Sequence, residues 1–518
     1  MKKNFIKGFS LLAVSIVLAK ILGALYRIPL TNILGAEGMG LYQLVFPVYA
    51  LLLTFCSGGI PQAMSILVSA KRARGEDTAK VLNSALWVIG GLGAVFSLLL
   101  IVLSKPIATL QSNPDSFKGY IVIAPSIFLS AVMAVLRGYF MGYNNMAPSA
   151  VSQVMEAAIK LGLGLTLAYF LRSVSIFASV AGALIGVTAS EAVTLIAMLI
   201  YGAKKNIRIF IPKEKEPVKE LVAIALPLTV GGTILPLSQF ADSLLIVNIL
   251  KFNYGVTLST INYGLFSGTV APLINLPVML AISLGLAVMP TISEGVEGRN
   301  LYGIKEKSEM CVKLAIMTGV PFALVYVLAG DAVIRILYPA LSSAQSATAV
   351  LILQIEALNV ITLSMSQIFS SLLQALGKAA ASVKLLALSV GLKLILTVVL
   401  LPFTGILGAA VASAAAFLMY AVLTGLYLRK MIGVSKSLPK NSSLIAVSGV
   451  IMAVSIFLFR LFLSGFAVII TAFAAGAIYL FSLFAMGVFT RKELECLPFS
   501  KLWLRLDKLF RRDKNAVI

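Results

Sequence analysis

Nine ionisable side chains stand inside long apolar runs of the chain: Lys20, Arg27, Arg137, Glu156, Lys160, Glu191, Asp242, Glu356 and Lys393. Placing such a group in hydrocarbon costs about 2.5–3.5 kcal/mol on insertion scales, so each needs a partner or a watery path, and each is a candidate for function. Lys20 and Arg27 are seven residues, or two helical turns, apart. They therefore share one helix face, with a rise of about 10 Å between them. The run that holds them, LAKILGALYRIPLTNILG, contains no acid to pair with either. Cations on one face suit an anionic cargo, and a guanidinium fits phosphate through its planar fork. The competing reading is that Glu156, Glu191 or Asp242 neutralises both in a packed bundle. Arg137 lies near the end of its run, where it either snorkels to the interface or faces a cavity. Glu156 and Lys160 are four residues apart with the acid first, the favoured order for an intrahelical ion pair, so they read first as neutralising each other. Lys20, Arg27, Arg137, Lys160 and Lys393 are thus the candidate cargo contacts, and Glu156, Glu191, Asp242 and Glu356 the candidate gating or coupling groups.

Other chemistries find no support. The chain has no histidine, which removes histidine-based metal sites and general bases. Its three cysteines, Cys56, Cys311 and Cys496, are far apart and form no metal or disulfide pattern. There is neither a nucleotide-binding lysine loop nor an Asp-x-Asp pair. No catalytic residue, metal or cofactor is expected, and the chain does not read as an enzyme. Energy for any transport would come from a cotransported ion or from the membrane potential, worth about 2.3 kcal/mol per charge per 100 mV.

The elements that position these residues follow from composition. Of 518 residues 59% are hydrophobic and 12% charged, the profile of a polytopic membrane protein. The net charge of +22 does not point to nucleic acid, because the basic residues lie between the apolar runs. MKKNFIKGFS and the run after it resemble a signal peptide, but the run continues past Lys20 without a small-residue cleavage site, so it reads as a retained span. Fourteen runs between residues 9 and 490 are long enough to cross a bilayer, which predicts an all-α protein of fourteen transmembrane helices. Several runs exceed 25 residues and hold Pro or Gly, with Pro47 and Pro61, Pro227 and Pro236, and Pro272 and Pro277 among them, so tilted or kinked helices are expected there.

The longest polar connection divides the first twelve helices into lobes of six: residues 1–203 and 219–430, with a cytoplasmic linker at 204–218. Two further helices occupy 441–490, and 491–518 forms a basic tail. TNIL (31–34) matches VNIL (247–250), IPQAMS (60–65) matches MPTIS (289–293), FMGYNN (140–145) matches ALGKAA (375–380), and VAGALIG (180–186) matches GILGAAVA (405–412). The matches come in the same order in each half, as in lobes related by a pseudo-two-fold axis along the membrane normal. Aligning TNIL with VNIL puts Arg27 at the depth of Asp242, an expected inter-lobe gate. Of the 42 lysines and arginines, 31 fall on the side of the amino terminus, six on the other and five within spans. Positive loops stay inside, so both termini are expected in the cytoplasm. LPFSKLWLRLDKLFRR (497–512) has apolar and basic faces and reads as a helix lying on anionic inner-leaflet lipid.

RIPLTNILGAEGMGLYQLVFPVY (27–49), GIPQAMSILVSAKRARGE (59–76), LRGYFMGYNNMAPSAVSQVMEA (136–157) and VMPTISEG (288–295) resemble the polysaccharide-transporter branch of the multidrug/oligosaccharidyl-lipid/polysaccharide exporter superfamily. Within it, the resemblance is to the group of stage V sporulation protein B and related lipid II flippases of Gram-positive bacteria, over almost the whole chain. The resemblance implies a flippase in the bacterial inner, cytoplasmic membrane that moves an undecaprenyl-pyrophosphate-linked saccharide outwards, for instance a peptidoglycan precursor such as lipid II for spore cortex or cell wall. It also implies that Lys20 and Arg27 contact the pyrophosphate, and that cell-wall synthesis proteins are partners. Some relatives carry a further arginine in helix eight; here residues 262–288 have no basic residue, and Lys393 is the deep cation of the second half. A cation-coupled multidrug exporter of the same superfamily is the alternative, kept open by Glu191, Asp242 and Glu356. A membrane scaffold is the third reading, and it leaves the deep cations unexplained.

Overall fold

The computed structural model describes residues 2–205, 218–298, 301–433, 437–462 and 467–488, and among these every regular element is helical. In chain order the helices are α1 (Lys2–Ser57), α2 (Ile60–Ala73), α3 (Thr78–Val102), α4 (Ser104–Leu110), α5 (Phe117–Gly142), α6 (Ala147–Leu171), α7 (Ile176–Lys204) and α8 (Lys219–Tyr263). There follow α9 (Ala271–Glu297), α10 (Leu301–Leu337), α11 (Ser343–Ala375), α12 (Ala379–Thr404), α13 (Ile406–Ile432), α14 (Ser437–Phe462) and α15 (Ala467–Ala485). Eleven helical segments among the described residues are long and apolar enough to cross a membrane. The chain is an all-α polytopic membrane protein. The tail at 491–518 and most of the linker at 204–218 lie outside the described residues.

Two segments, of 60 and 65 residues, are too long for one crossing, since 60 residues of straight helix would extend about 90 Å. Each breaks at a glycine, Gly35 (φ 67°, ψ −179°) in α1 and Gly255 (φ 76°, ψ 169°) in α8. This backbone region is open essentially to glycine alone. The breaks inside α1 and α8 therefore fall at glycine, while Pro47, Pro227 and Pro236 sit within helical backbone; Pro61 opens α2. Gly35 directly follows TNIL and Gly255 lies five residues beyond VNIL. The ends of α5 and α11 behave alike. Asn144 (φ 57°) and Gly377 (φ 72°) are left-handed, and the next residues donate back to the helix, Asn145 N to Phe140 O at 3.1 Å and Lys378 N to Leu373 O at 2.7 Å. The structural match pairs Asn144 with Gly377, two residues from the pairing suggested by the letters of FMGYNN and ALGKAA.

The chain forms two compact units. The first comprises Met1–Leu273, Ala340–Thr348 and Leu386–Ala412, so α8 and most of α12 belong with the first seven helices. Its α6 and α7 approach closely, because a methyl group on Gly186 would collide with the Gly164 backbone. Such small-residue contacts are how helices associate where lipid supplies no hydrophobic drive. The Tyr26 ring of α1 packs on Gly164. A polar lattice ties α8 to the rest: the Gln111 side chain donates to Leu44 O and Ser243 Oγ, both at 3.0 Å. Ser112 Oγ donates to Asn248 Oδ1 at 2.8 Å, and Asn113 Nδ2 to Thr260 Oγ1 at 2.8 Å.

The second unit comprises Ile274–Pro339, Ala349–Leu385 and Ser413–Ile518. One apolar core joins α10, α14 and α15 around Met452, Tyr479 and Leu483. Another joins α9, α10, α11 and α13 around Ala281, Ile304, Ile368 and Leu428. A cavity of about 410 Å³ in this unit is lined mainly by apolar side chains such as Met365, Phe369, Leu418 and Val422.

Candidate functional site

The first unit encloses a cavity of about 270 Å³ lined by Phe46, Tyr49, Leu53, Ser57, Pro61, Ser130, Ala134, Arg137, Glu156, Lys160, Val187 and Glu191. Four of the nine sequence-predicted groups, Arg137, Glu156, Lys160 and Glu191, thus meet in one place. They come from α5, α6 and α7, and the second half of α1 supplies the aromatic wall. That half begins beyond Gly35, so the break in α1 turns Tyr42, Phe46 and Tyr49 towards the other helices.

Arg137 is in the cavity and does not snorkel. Its NH2 group donates to Glu156 Oε2 at 2.9 Å, and its Nε donates to Ser152 Oγ at 2.8 Å. Glu156 is therefore taken by Arg137 from α5, and the intrahelical pair with Lys160 does not form. The reason is geometric: Ser152, one turn before Glu156, fixes the guanidinium fork against the carboxylate, which a flexible ammonium does not match.

Lys160 turns instead to aromatic faces, with Nζ 5.3 Å from the Tyr26 ring centroid and 5.2 Å from that of Phe46. Arg27 does the same, its Cζ 5.5 Å from the Phe46 centroid. Neither Arg27 nor Lys160 has a carboxylate within ion-pair distance among the described residues. Lys20 is exposed on α1, seven residues before Arg27. The proposed neutralisation of Lys20 and Arg27 by Glu156, Glu191 or Asp242 is absent, because each of those acids has another partner.

Glu191 is buried, and its Oε1 accepts from Tyr49 OH at 2.6 Å. Its Oε2 has no hydrogen-bond partner among the described residues, nor has Thr194 Oγ1 one turn further along α7. A buried acid with one unanswered oxygen is suited to take up a proton or a cation. Asp242 of α8 is salt-bridged to Lys393 of α12, both buried. No ion pair joins Asp242 to Arg27 in this conformation, since burial of Asp242 demands a close cation and Lys393 supplies it; the expected gate brings Arg27 and Asp242 together only when the outside is closed. Glu356 lies in the second unit, buried, and accepts from Asn359 Nδ2 at 2.7 Å.

Sequence reasoning overlooked the aromatic residues. Tyr42, Phe46 and Tyr49 recur at helical spacing, a pattern that normally means core. Only the approach of two cations from other parts of the fold marks Phe46 as more than packing.

The family of polysaccharide biosynthesis proteins matches residues 5–296 of the chain. Stage V sporulation protein B of Bacillus subtilis (strain 168) is 27% identical over 515 residues, spanning 96% of this chain and 98% of its own. Lipid II flippase MurJ of the same organism is 23% identical over 561 residues, spanning 100% of both. A solved structure of lipid II flippase MurJ in an inward closed conformation has the same fold, with a TM-score of 0.73 and 15% identity over 92% of this chain and 97% of that one. The chain therefore belongs to the polysaccharide biosynthesis protein family, as a multi-pass membrane protein.

Proposed function

We propose that the chain flips an undecaprenyl-pyrophosphate-linked saccharide, a peptidoglycan precursor such as lipid II, outwards across the cytoplasmic membrane by alternating access between its two halves. The observation that carries this reading is the meeting of Arg27 and Lys160 on one aromatic ring with no carboxylate within ion-pair distance of either among the described residues. Cations without an ion-pair partner inside a membrane protein call for an anion, and pyrophosphate is the anionic group of a lipid-linked saccharide. Arg137, held by Glu156 at the same cavity, and Lys20, on the same face of α1 as Arg27, extend the cationic path. Lys393 is the corresponding deep cation of α12, held by Asp242.

Glu191 is the leading coupling group of the cavity, and Glu356 and the Asp242–Lys393 pair serve gating elsewhere. Both termini lie in the cytoplasm on this reading, and the tail at 491–518 rests on anionic lipid. The test is made in a bacterium that depends on this chain for its flippase. Replacing Arg27 and Lys160 with Glu is expected to trap lipid-linked precursor on the cytoplasmic leaflet, while expression of the protein persists. Normal precursor export with lost resistance to cationic drugs would favour the drug-exporter reading instead.

A further inference from the structure

We propose that Phe46 is a positioning residue of the anion site, holding Arg27 and Lys160 ready for one anion before it arrives. The inference rests on the reading of those two cations as cargo contacts. Arg27 Cζ and Lys160 Nζ lie 5.5 Å and 5.2 Å from the one Phe46 centroid, so the two charges stand no further apart than these distances laid end to end. Left alone in a low dielectric, two such cations repel and swing apart, or seek an acid. The acids nearest to hand are committed, Glu156 to Arg137 and Glu191 to Tyr49.

The electron-rich face of the ring supplies the attraction that a carboxylate would otherwise give. It does so without closing the site. A carboxylate would occupy the N–H groups that a phosphate needs, whereas a ring face takes the charge and leaves those donors for oxygen. Like-charge convergence is thus kept, and the cations remain available.

The ring itself is fixed from both sides along α1. Tyr42 stacks on it at a centroid distance of 5.7 Å, and Tyr49 meets it edge to face at 5.7 Å. Tyr49 is in turn anchored to Glu191 by its 2.6 Å hydrogen bond. Tyr26, packed on Gly164, offers Lys160 a second ring face, its centroid 5.3 Å from Nζ. Leucine at position 46 would fill similar space and hold neither cation.

The test uses full-length protein in nanodiscs and undecaprenyl pyrophosphate as the probe. Phe46 is replaced by its 4-fluoro, 3,5-difluoro and 3,4,5-trifluoro analogues, which drain the ring face while preserving its shape. Affinity is expected to weaken stepwise, reaching about tenfold at the trifluoro ring. Phe46→Tyr should retain near-normal affinity, and Phe46→Leu should lose at least as much as the trifluoro ring. A flat fluorination series, with Arg27→Ala and Lys160→Ala each still weakening binding, overturns the role of Phe46 and leaves the anion site standing. A flat series in which Arg27→Ala and Lys160→Ala also bind normally overturns both. The thermal midpoint of each fluorinated protein separates a binding defect from a folding defect, since these analogues preserve packing.

Discussion

Replacing Lys393 with methionine should destabilise the protein far more than replacing Lys393 and Asp242 together. Both side chains are buried, Asp242 5% and Lys393 7% exposed, and the other carboxylate oxygen of Asp242 has no partner among the described residues. Two unit charges about 4 Å apart attract by about 4 kcal/mol at an effective dielectric of 20. Breaking one half of a buried pair strands the other charge and typically costs about 3–5 kcal/mol. Lys393→Met should fall in that range. In the double variant Lys393→Met with Asp242→Asn no charge is stranded, and stability should return to within about 1 to 2 kcal/mol of the parent. Cys56 and Cys311 are buried free thiols, so in a Cys496→Ser background a thiol-reactive dye reports unfolding of detergent-purified protein. The reasoning is refuted if Lys393→Met melts with the parent, or if the double variant is less stable than Lys393→Met alone.

Further outcomes are expected at the cavity and the helix breaks. Arg137→Lys should impair transport nearly as much as Arg137→Ala, because only a guanidinium meets Ser152 and Glu156 at once; an intact Lys variant would sink that account. Gly35→Ala and Gly255→Ala should each cost about 1–3 kcal/mol by unfolding assay, whereas Gly23→Ala, where an added methyl meets open space, should be tolerated. Tyr49→Phe should cost about 1–3 kcal/mol by removing the hydroxyl that donates to Glu191 at 2.6 Å, and less in a Glu191→Leu background, where no buried acid remains to satisfy.

Much of the architecture was legible because hydrocarbon is a demanding solvent. The apolar runs that form the long helices and the meeting of Arg137, Glu156, Lys160 and Glu191 at one cavity both follow from the expense of burying polar atoms. TNIL and VNIL each lie shortly before a glycine break, at Gly35 one residue beyond and at Gly255 five residues beyond. The break before α2 falls beside Pro61, as expected, while the breaks inside α1 and α8 fall at glycine. A proline in a long helix is accommodated by its neighbours, while an extended backbone at positive φ is open essentially to glycine.

The membership of the site was legible, and its pairing was not. Spacing along α6 favoured Glu156 with Lys160, an interaction worth a few tenths of a kcal/mol on an isolated helix. A guanidinium brought in from α5 and fixed by Ser152 outweighs it, and no local pattern announces which helix will arrive there. Asp242 illustrates the same point, since equal depth in a repeat placed it near Arg27 while α12 brought Lys393 into direct contact. Phe46 and Tyr49 were silent for another reason. Aromatic residues at helical spacing are ordinary core, and their second role depends on cations distant in sequence.

The central claim is best tested by translocation of a fluorescent undecaprenyl-pyrophosphate-linked saccharide in proteoliposomes holding the purified full-length protein. Wild-type protein is predicted to move the probe between leaflets, and Arg27→Ala with Lys160→Ala to slow it by at least about tenfold while melting normally. Translocation at the wild-type rate by the doubly substituted protein would contradict the account.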